Sequence, residues 1–310
     1  MRTGIFSFLF IFLVAGSALA QKPRTDVELD RSLEQLTRDF NGTVGVYVYN
    51  LETRQEAGIN SDSIFPTASI VKVPILAGLF DKIAKGEFTL NDTLVYEAKR
   101  AYGGSGLMQF YKDSTVTDLR TLAALMITYS DNTTALWCQE LAGGGEDINE
   151  VMKELGFRYT RVNSRTKGRE EDWKKYGWGQ TTPREMASLL FKIYDRQVVN
   201  PASSDEMYRM LTNSFYTDYA LSQIPPYVQT AAKQGMVDRS RSELVMVNAP
   251  NGDYVFYIAT KGNKDNSWDF DNEAWKLHRK ISAFLWNYFE PDSDWKPASG
   301  SSDLVRGLRY

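Results

Sequence analysis

Two β-rich stretches near the start of the chain and a β-hairpin signal near its end enclose a long middle that reads as helix. Thr43–Asn50 is dense in Val and Tyr, and Gln55–Ile59 follows as a second short strand. Glu243–Ala249 and Tyr254–Thr260 are joined by Pro250-Asn251-Gly252-Asp253, a strong turn signal between two strands. Helical spacing marks Asp26–Phe40, Val71–Ile83, Thr117–Thr128, Thr133–Leu141 and Asn272–Phe289. Thr182-Pro183-Arg184-Glu185 has the form of a capping box with proline at the first helical position, and another helix opens near Ser203–Glu206. Strands this far apart bury their apolar faces most simply in one sheet. The expected architecture is therefore α/β (α+β): an antiparallel sheet flanked by helices, with an inserted all-helical domain. The corresponding division is 21–66 and 215–291 for the sheet domain, 67–214 for the helical domain, and 292–310 for a polar, mobile tail.

Residues 1–20 read as an export signal rather than as part of the fold. Arg2 precedes the apolar run Ile5–Val14, and Ala18-Leu19-Ala20 supplies small residues before Gln21. The run is short for a membrane span, so the expectation is a periplasmic or secreted protein with no stable span after cleavage. No cysteine stands near the cleavage site to take a lipid.

The chain has one histidine, His278, and one cysteine, Cys138. An intrachain disulfide is excluded, and a zinc site of nitrogen and sulfur ligands has too few donors. No metal or other cofactor is expected. The formal charge of −3 and the lack of basic runs argue against nucleic acid as a partner. His278 stands beside Arg279 and Lys280 and is expected on the polar face of the last helix, while Cys138 follows Leu136 and Trp137 and is expected in the core. Acid–base chemistry must then rest on Lys, Asp, Glu or Tyr.

Three short motifs offer such chemistry. In Ser69-Ile70-Val71-Lys72, residues three apart share a helical face, so the Lys72 amine would lie beside the Ser69 hydroxyl. A desolvated lysine loses its proton near neutral pH and can activate a serine without histidine. Ser164–Lys167 and Ser293–Lys296 show the same spacing, so the pattern alone is unspecific. Ser130-Asp131-Asn132 sits between two helices; three chosen residues in a row occur by chance on the order of 0.05 times in a chain this long, though all three are also favoured capping residues. Lys233-Gln234-Gly235 precedes Met236 and the hairpin.

In this order and spacing the motifs resemble the penicillin-recognising serine enzymes, and within them the class A β-lactamases. Phe65-Pro66-Thr67-Ala68-Ser69 and Thr181-Thr182-Pro183-Arg184-Glu185-Met186-Ala187 extend the resemblance over nearly the whole chain to Phe289. The resemblance implies an active site in a cleft between sheet and helical domain. It implies that Ser69 attacks the amide carbonyl of a β-lactam and that Lys72 takes the proton. Ser130 would pass a proton to the departing nitrogen, Asn132 would hold the substrate's side-chain amide, and Lys233 would attract its carboxylate. The backbone amides of Ser69 and Met236 would form the oxyanion hole, and Tyr102 would form part of the cleft wall.

Two positions depart from the family pattern. Gln234 stands where a small hydroxyl residue is usual, which reshapes carboxylate recognition by Lys233, Gln234 and Gly235. Aligned without gaps, the loop carries Thr166 where the family has its water-activating Glu, and Glu170 where that Glu has an Asn helper. Glu170 is therefore the candidate for the deacylating base, with Glu171 and Asp172 behind it. Gly177-Trp178-Gly179 forms an aromatic turn to which the motifs assign no purpose. Three readings remain open. The leading one is a monomeric class A-like β-lactamase. The others are an acyl enzyme acting on a peptidoglycan-like peptide or an ester, and a penicillin-binding module with little turnover.

Overall fold

A computed structural model describes residues 23–297; the expectations for residues 1–20 and for most of 292–310 lie outside the described residues. In chain order the strands are β1 (Arg24–Thr25), β2 (Thr43–Asn50), β3 (Gln55–Ile59), β4 (Phe65–Pro66), β5 (Thr93–Val95), β6 (Val116–Asp118), β7 (Arg161–Val162), β8 (Gly179–Thr181), β9 (Thr230–Val237), β10 (Ser240–Val247) and β11 (Tyr254–Lys261). The helices are α1 (Val27–Thr37), α2 (Lys72–Ala84), α3 (Leu119–Thr128), α4 (Asn132–Leu141), α5 (Gly144–Glu154), α6 (Glu170–Tyr176), α7 (Pro183–Tyr194), α8 (Pro201–Leu211) and α9 (Glu273–Phe289).

Both ends of the chain build one six-stranded sheet in the order β1-β3-β2-β11-β10-β9. All its pairings are antiparallel except β1 with β3. Alternation along the strands sends residues to two separate cores. Val44, Val46 and Val48 of β2 join Val245, Phe256 and Ile258 against α1 and α9. Tyr47, Leu244, Val255 and Tyr257 face the opposite way, against α7 and the helices that follow β4. The helix α7 packs on β2, β10 and β11, and so belongs to the layer covering the sheet. β9 is left at the sheet's edge, where its Gly235 meets the turn that carries Ser69. A Cβ at Gly235 would lie 2.5 Å from the Thr67 carbonyl and 3.0 Å from the Ser69 nitrogen, so only glycine allows this approach.

Three local expectations change. α8 starts at Pro201, with the Asn200 side chain accepting from the Ser203 amide, so Asn-Pro sets the start ahead of Ser203. Thr182 caps α7 by accepting from the Glu185 amide. Glu185, however, does not return the bond. Its carboxylate accepts from the amides of Arg158 (2.7 Å), Tyr159 (3.0 Å) and Thr160 (2.6 Å), pinning the loop that enters β7. His278 is fully buried rather than on the polar face. Its Nδ1 stands 3.4 Å from Glu243 Oε2 and its ring meets Trp275 edge-on. Its spacing from Ala274 and Ile281 places it on the apolar stripe, whatever its charged neighbours suggest. Cys138 is buried and free, and burial pushes its thiol pKa up.

Glu185→Ala should cost about 2–3 kcal/mol, because three amides lose a charged acceptor. Urea unfolding at unchanged m-value checks it; a loss below about 0.5 kcal/mol would show that water replaces the carboxylate.

Candidate active site

β4 ends at Pro66, and the chain must turn sharply to enter α2. Ala68 makes that turn with a left-handed φ of 45°, a conformation that costs an L-residue free energy and is held by its surroundings. A 3₁₀ turn over Ala68–Val71 follows, and Lys72 is the first residue of α2. Ser69 therefore lines the cleft while Lys72 points inward and is fully buried.

The Lys72 amine collects four neighbours: Ser69 Oγ at 3.0 Å, the Ser130 carbonyl at 2.5 Å, Ser130 Oγ at 3.1 Å and Asn132 Oδ1 at 2.8 Å. Desolvation pushes its pKa down to about 7, with Asp131 pulling weakly the other way. A neutral amine has two hydrogens and one lone pair. The Ser130 carbonyl and Asn132 Oδ1 accept the hydrogens, and the lone pair is then free for the Ser69 hydroxyl. This is the arrangement of a general base beside a nucleophile.

Ser130 is held in place by its backbone. It adopts a left-handed φ of 54° between α3 and α4. Asp131 is buried and caps α4 through the Thr134 amide at 2.9 Å, while its other oxygen accepts from Leu107 and Met108 at 2.6 and 2.7 Å. That carboxylate is wholly engaged by backbone. Asn132 also donates to the Gly103 carbonyl at 3.0 Å. On the sheet side, the buried Lys233 amine donates to Ser130 Oγ at 3.0 Å and to the Gln234 carbonyl at 2.9 Å. Desolvation and the nearby Lys72 lower the Lys233 pKa well below the usual lysine range, with Glu243 opposing. Two amines thus flank one serine hydroxyl, a route for a proton between them.

A cleft of about 790 Å³ lies over this network. Ser69, Asn132, Tyr102 and Met236 line it, as the sequence led one to expect. Lys233 and Gly235 are buried beneath it. Gln234 is not brought to the cleft. Alternation along β9 puts its side chain on the opposite face of the sheet, in register with Glu243, and only its carbonyl serves the site. Glu170 is not brought there either. It begins α6, is exposed, and accepts from the Gly168 amide at 3.1 Å. Hydrogen bonds from the amides at this helix start hold its pKa below the usual carboxylate range. Residues 170–176 coil into a helix whose acidic first turn serves its own amides, and this keeps the Glu170 carboxylate at its own helix start. Thr166, which the ungapped count set at the family's glutamate position, is buried with its hydroxyl donating to the Ser164 carbonyl.

The motifs missed Trp178. Gly177 ends α6 with φ 70° and ψ −143°, a conformation open essentially to glycine, and turns Trp178 back over the cleft. The indole ring centre is 5.9 Å from the Lys72 amine, and the Trp178 and Tyr102 rings meet edge to face with their centres 5.4 Å apart. The Gly-Trp-Gly run was the available signal: glycines on either side of a large ring mark a backbone bent for that ring. Among the residues lining the cleft the sole carboxylate is Asp238, at the β9–β10 turn.

Known proteins resemble this chain along nearly its full described length. β-Lactamase VEB-1 of Pseudomonas aeruginosa is 20% identical over 292 residues, covering 91% of this chain and 95% of its own. β-Lactamase SME-1 of Serratia marcescens is 27% identical over 202 residues, 63% of this chain and 66% of that protein. Among solved structures, PBP-A superposes with a TM-score of 0.77 at 26% identity, over 87% of this chain and 99% of its own. A point mutant of PBP-A, solved as an acyl-enzyme complex with penicillin G, superposes equally well. A class A β-lactamase from Bacteroides cellulosilyticus shares the fold at a TM-score of 0.74 and 22% identity, over 86% of this chain and 98% of its own. The sequence profile of the β-lactamase enzyme family matches residues 28–289, and the chain belongs to that family.

Proposed function

We propose that this protein is an exported serine enzyme that opens the β-lactam amide by acylating Ser69 and releases the acyl group slowly. The observation that carries this reading is the contrast within the cleft. The residues for acylation form one connected network, while among the described residues the one carboxylate lining the cleft is Asp238, at the β9–β10 turn. In the reaction, the Ser69 Oγ–carbonyl bond forms as its proton passes to neutral Lys72. The backbone amides of Ser69 and Met236 stabilise the oxyanion. The carbonyl–nitrogen bond then breaks, and the departing nitrogen takes a proton from Ser130, which Lys72 or Lys233 resupplies. Asn132 holds the acyl side chain at the cleft. Release needs a water activated by a base on the Lys72 side, and there the cleft is lined by the Trp178 ring, 5.9 Å from the amine. The likeness to PBP-A supports the same reading, since a mutant of that protein was solved as a penicillin G acyl-enzyme. Peptide-like amides of the peptidoglycan kind would be the acyl donors that a β-lactam imitates.

Intact-protein mass spectrometry during incubation with benzylpenicillin tests this. The expected result is one adduct per chain that persists for minutes, and none in Ser69→Ala. A transient adduct with rapid product release would make the protein an efficient β-lactamase, and no adduct at all would refute the reading. Acylation should also follow the Lys72 proton. Because the active form is the neutral amine and its pKa is about 7, the second-order rate constant should fall about tenfold per pH unit below that value and level off above it. A flat profile from about pH 5.5 to about pH 8.5 would remove Lys72 as base. Finally, Glu170→Gln should leave the adduct lifetime unchanged within about twofold, the carboxylate being spent on its own helix start. A markedly longer lifetime would restore Glu170 as the deacylating base.

A further inference from the structure

The cleft does not end at Ser69. It continues along the edge of β9, past Met236 to the β9–β10 turn, and closes on Lys175, Arg239 and Lys261. The Lys261 ammonium stands over the Phe65 ring at 4.5 Å and donates to the Ile64 carbonyl at 2.7 Å, which leaves two of its hydrogens for other acceptors. Partial burial and the neighbouring Lys175 lower its pKa, so the two cations are close enough to repel each other. Lys175 comes from the end of α6 and Lys261 from the end of β11, so two unconnected elements converge there. Arg239 is fixed by the carbonyls of Asn263 and Gly262 at 3.0 and 3.3 Å. Asp238 is the opposing charge in the lining, and it acts electrostatically on Arg241. Within α6, the Lys175 ammonium stands over the Tyr176 ring at 5.0 Å, and Asp172 acts on it electrostatically. Neither Lys175 nor Lys261 has a carboxylate in salt-bridge contact among the described residues.

We propose that Lys175 and Lys261, with Arg239 beside them, form a subsite for an anionic group on the acyl side chain of the donor, a carboxylate carried a few bonds beyond the amide held at Asn132. This rests on the acyl-enzyme reading above. An unsatisfied pair of like charges at the end of a cleft is relieved by an anion, which gains from both cations at once. The reach is suitable. From Met236 to the β9–β10 turn is two to three residues, roughly 7–10 Å at about 3.3 Å per residue, and each lysine side chain shortens the gap. The exposed backbone of an edge strand also suits an extended, peptide-like chain running along it toward the turn. The preferred donors are thus amides whose acyl portion is acidic, as opposed to neutral or aromatic ones.

The test uses two penicillins differing in one charge: a 6-acylaminopenicillanate whose acyl chain is adipoyl, ending in a free carboxylate, and the methyl ester of that terminal carboxylate. Acylation rate constants for both are measured by intact mass at low and high salt. The acid should acylate about tenfold faster than the ester at low salt, an advantage typical of one charge-assisted hydrogen bond, and the ratio should shrink as salt rises. Lys175→Glu should bring the ratio to one or below, and Lys261→Ala should reduce it severalfold, with Lys261→Arg restoring it. Lys175 is exposed on α6, so its variant keeps the test independent of any folding defect at Lys261. A ratio near one in the unmodified protein, or a ratio that neither variant changes, overturns the subsite while leaving the acyl-enzyme reading intact. Failure of both penicillins to form an adduct overturns that reading, and the subsite with it.

Discussion

A lysine amine removed from water is the constraint on which the site depends. Full burial of Lys72 makes its charged form unfavourable, so the amine tends toward neutrality, with a pKa of about 7. Its two carbonyl-type acceptors then fix which way the hydrogens point, and the lone pair falls on Ser69. Everything around it serves that geometry. The left-handed Ala68 swings Ser69 onto the cleft side, the left-handed Ser130 presents both its carbonyl and its hydroxyl, and Asp131 anchors this turn through three amides. These are strained or fully committed backbone positions, and packing of β9 against Thr67–Ser69 through Gly235 holds them.

The same burial that makes a base for acylation hinders a base for release. A carboxylate placed beside Lys72 would raise the lysine pKa toward the charged form, as Asp131 does slightly. Here the Lys72 side of the cleft carries an indole instead. An aromatic ring 5.9 Å from the amine is placed to stabilise the protonated amine through its π-face once the proton has been taken. On the reading proposed above, Trp178 would favour the acylation half of the cycle over hydrolysis, and the Gly177 turn that places it becomes part of the site.

Much of this was readable in the sequence, for identifiable reasons. β2 and β3 have the bounds expected of them because Val and Tyr alternate in one and turn residues close both ends. Ser69, Lys72, Ser130 and Lys233, named from short motifs, stand in one hydrogen-bonded network because a spacing of three at a helix start brings serine and lysine side chains together. Glu170 and Gln234 were misplaced because their roles depended on orientation. Counting residues across a loop says nothing of where a side chain turns, and Glu170, the first residue of α6, is bonded to amides at its own helix start. The place of Gln234 in the motif indicated proximity to substrate, but strand alternation turned it away. Trp178 left only the Gly-Trp-Gly run, which names no role, and Lys261 left no motif, since its position arises from contacts between segments far apart in sequence.

The two faces of β9 also explain why the lone histidine has no part in the chemistry. Lys233 and Gly235 face the helices and the serines, whereas Gln234 lies in register with Glu243, whose partner is His278 on α9. Burial lowers the His278 pKa and Glu243 raises it again in part, so this pair is an internal polar contact between sheet and helix. The sheet separates it from Ser69, but not electrically from Lys233. Glu243 raises the Lys233 pKa against the combined effect of burial and Lys72. On the proposed mechanism, a carboxylate on the far side of the strand would help set how readily Lys233 keeps a proton for Ser130. The neutral Gln234 adds no charge of its own, leaving that balance to Glu243 behind the strand and Lys72 in front of it.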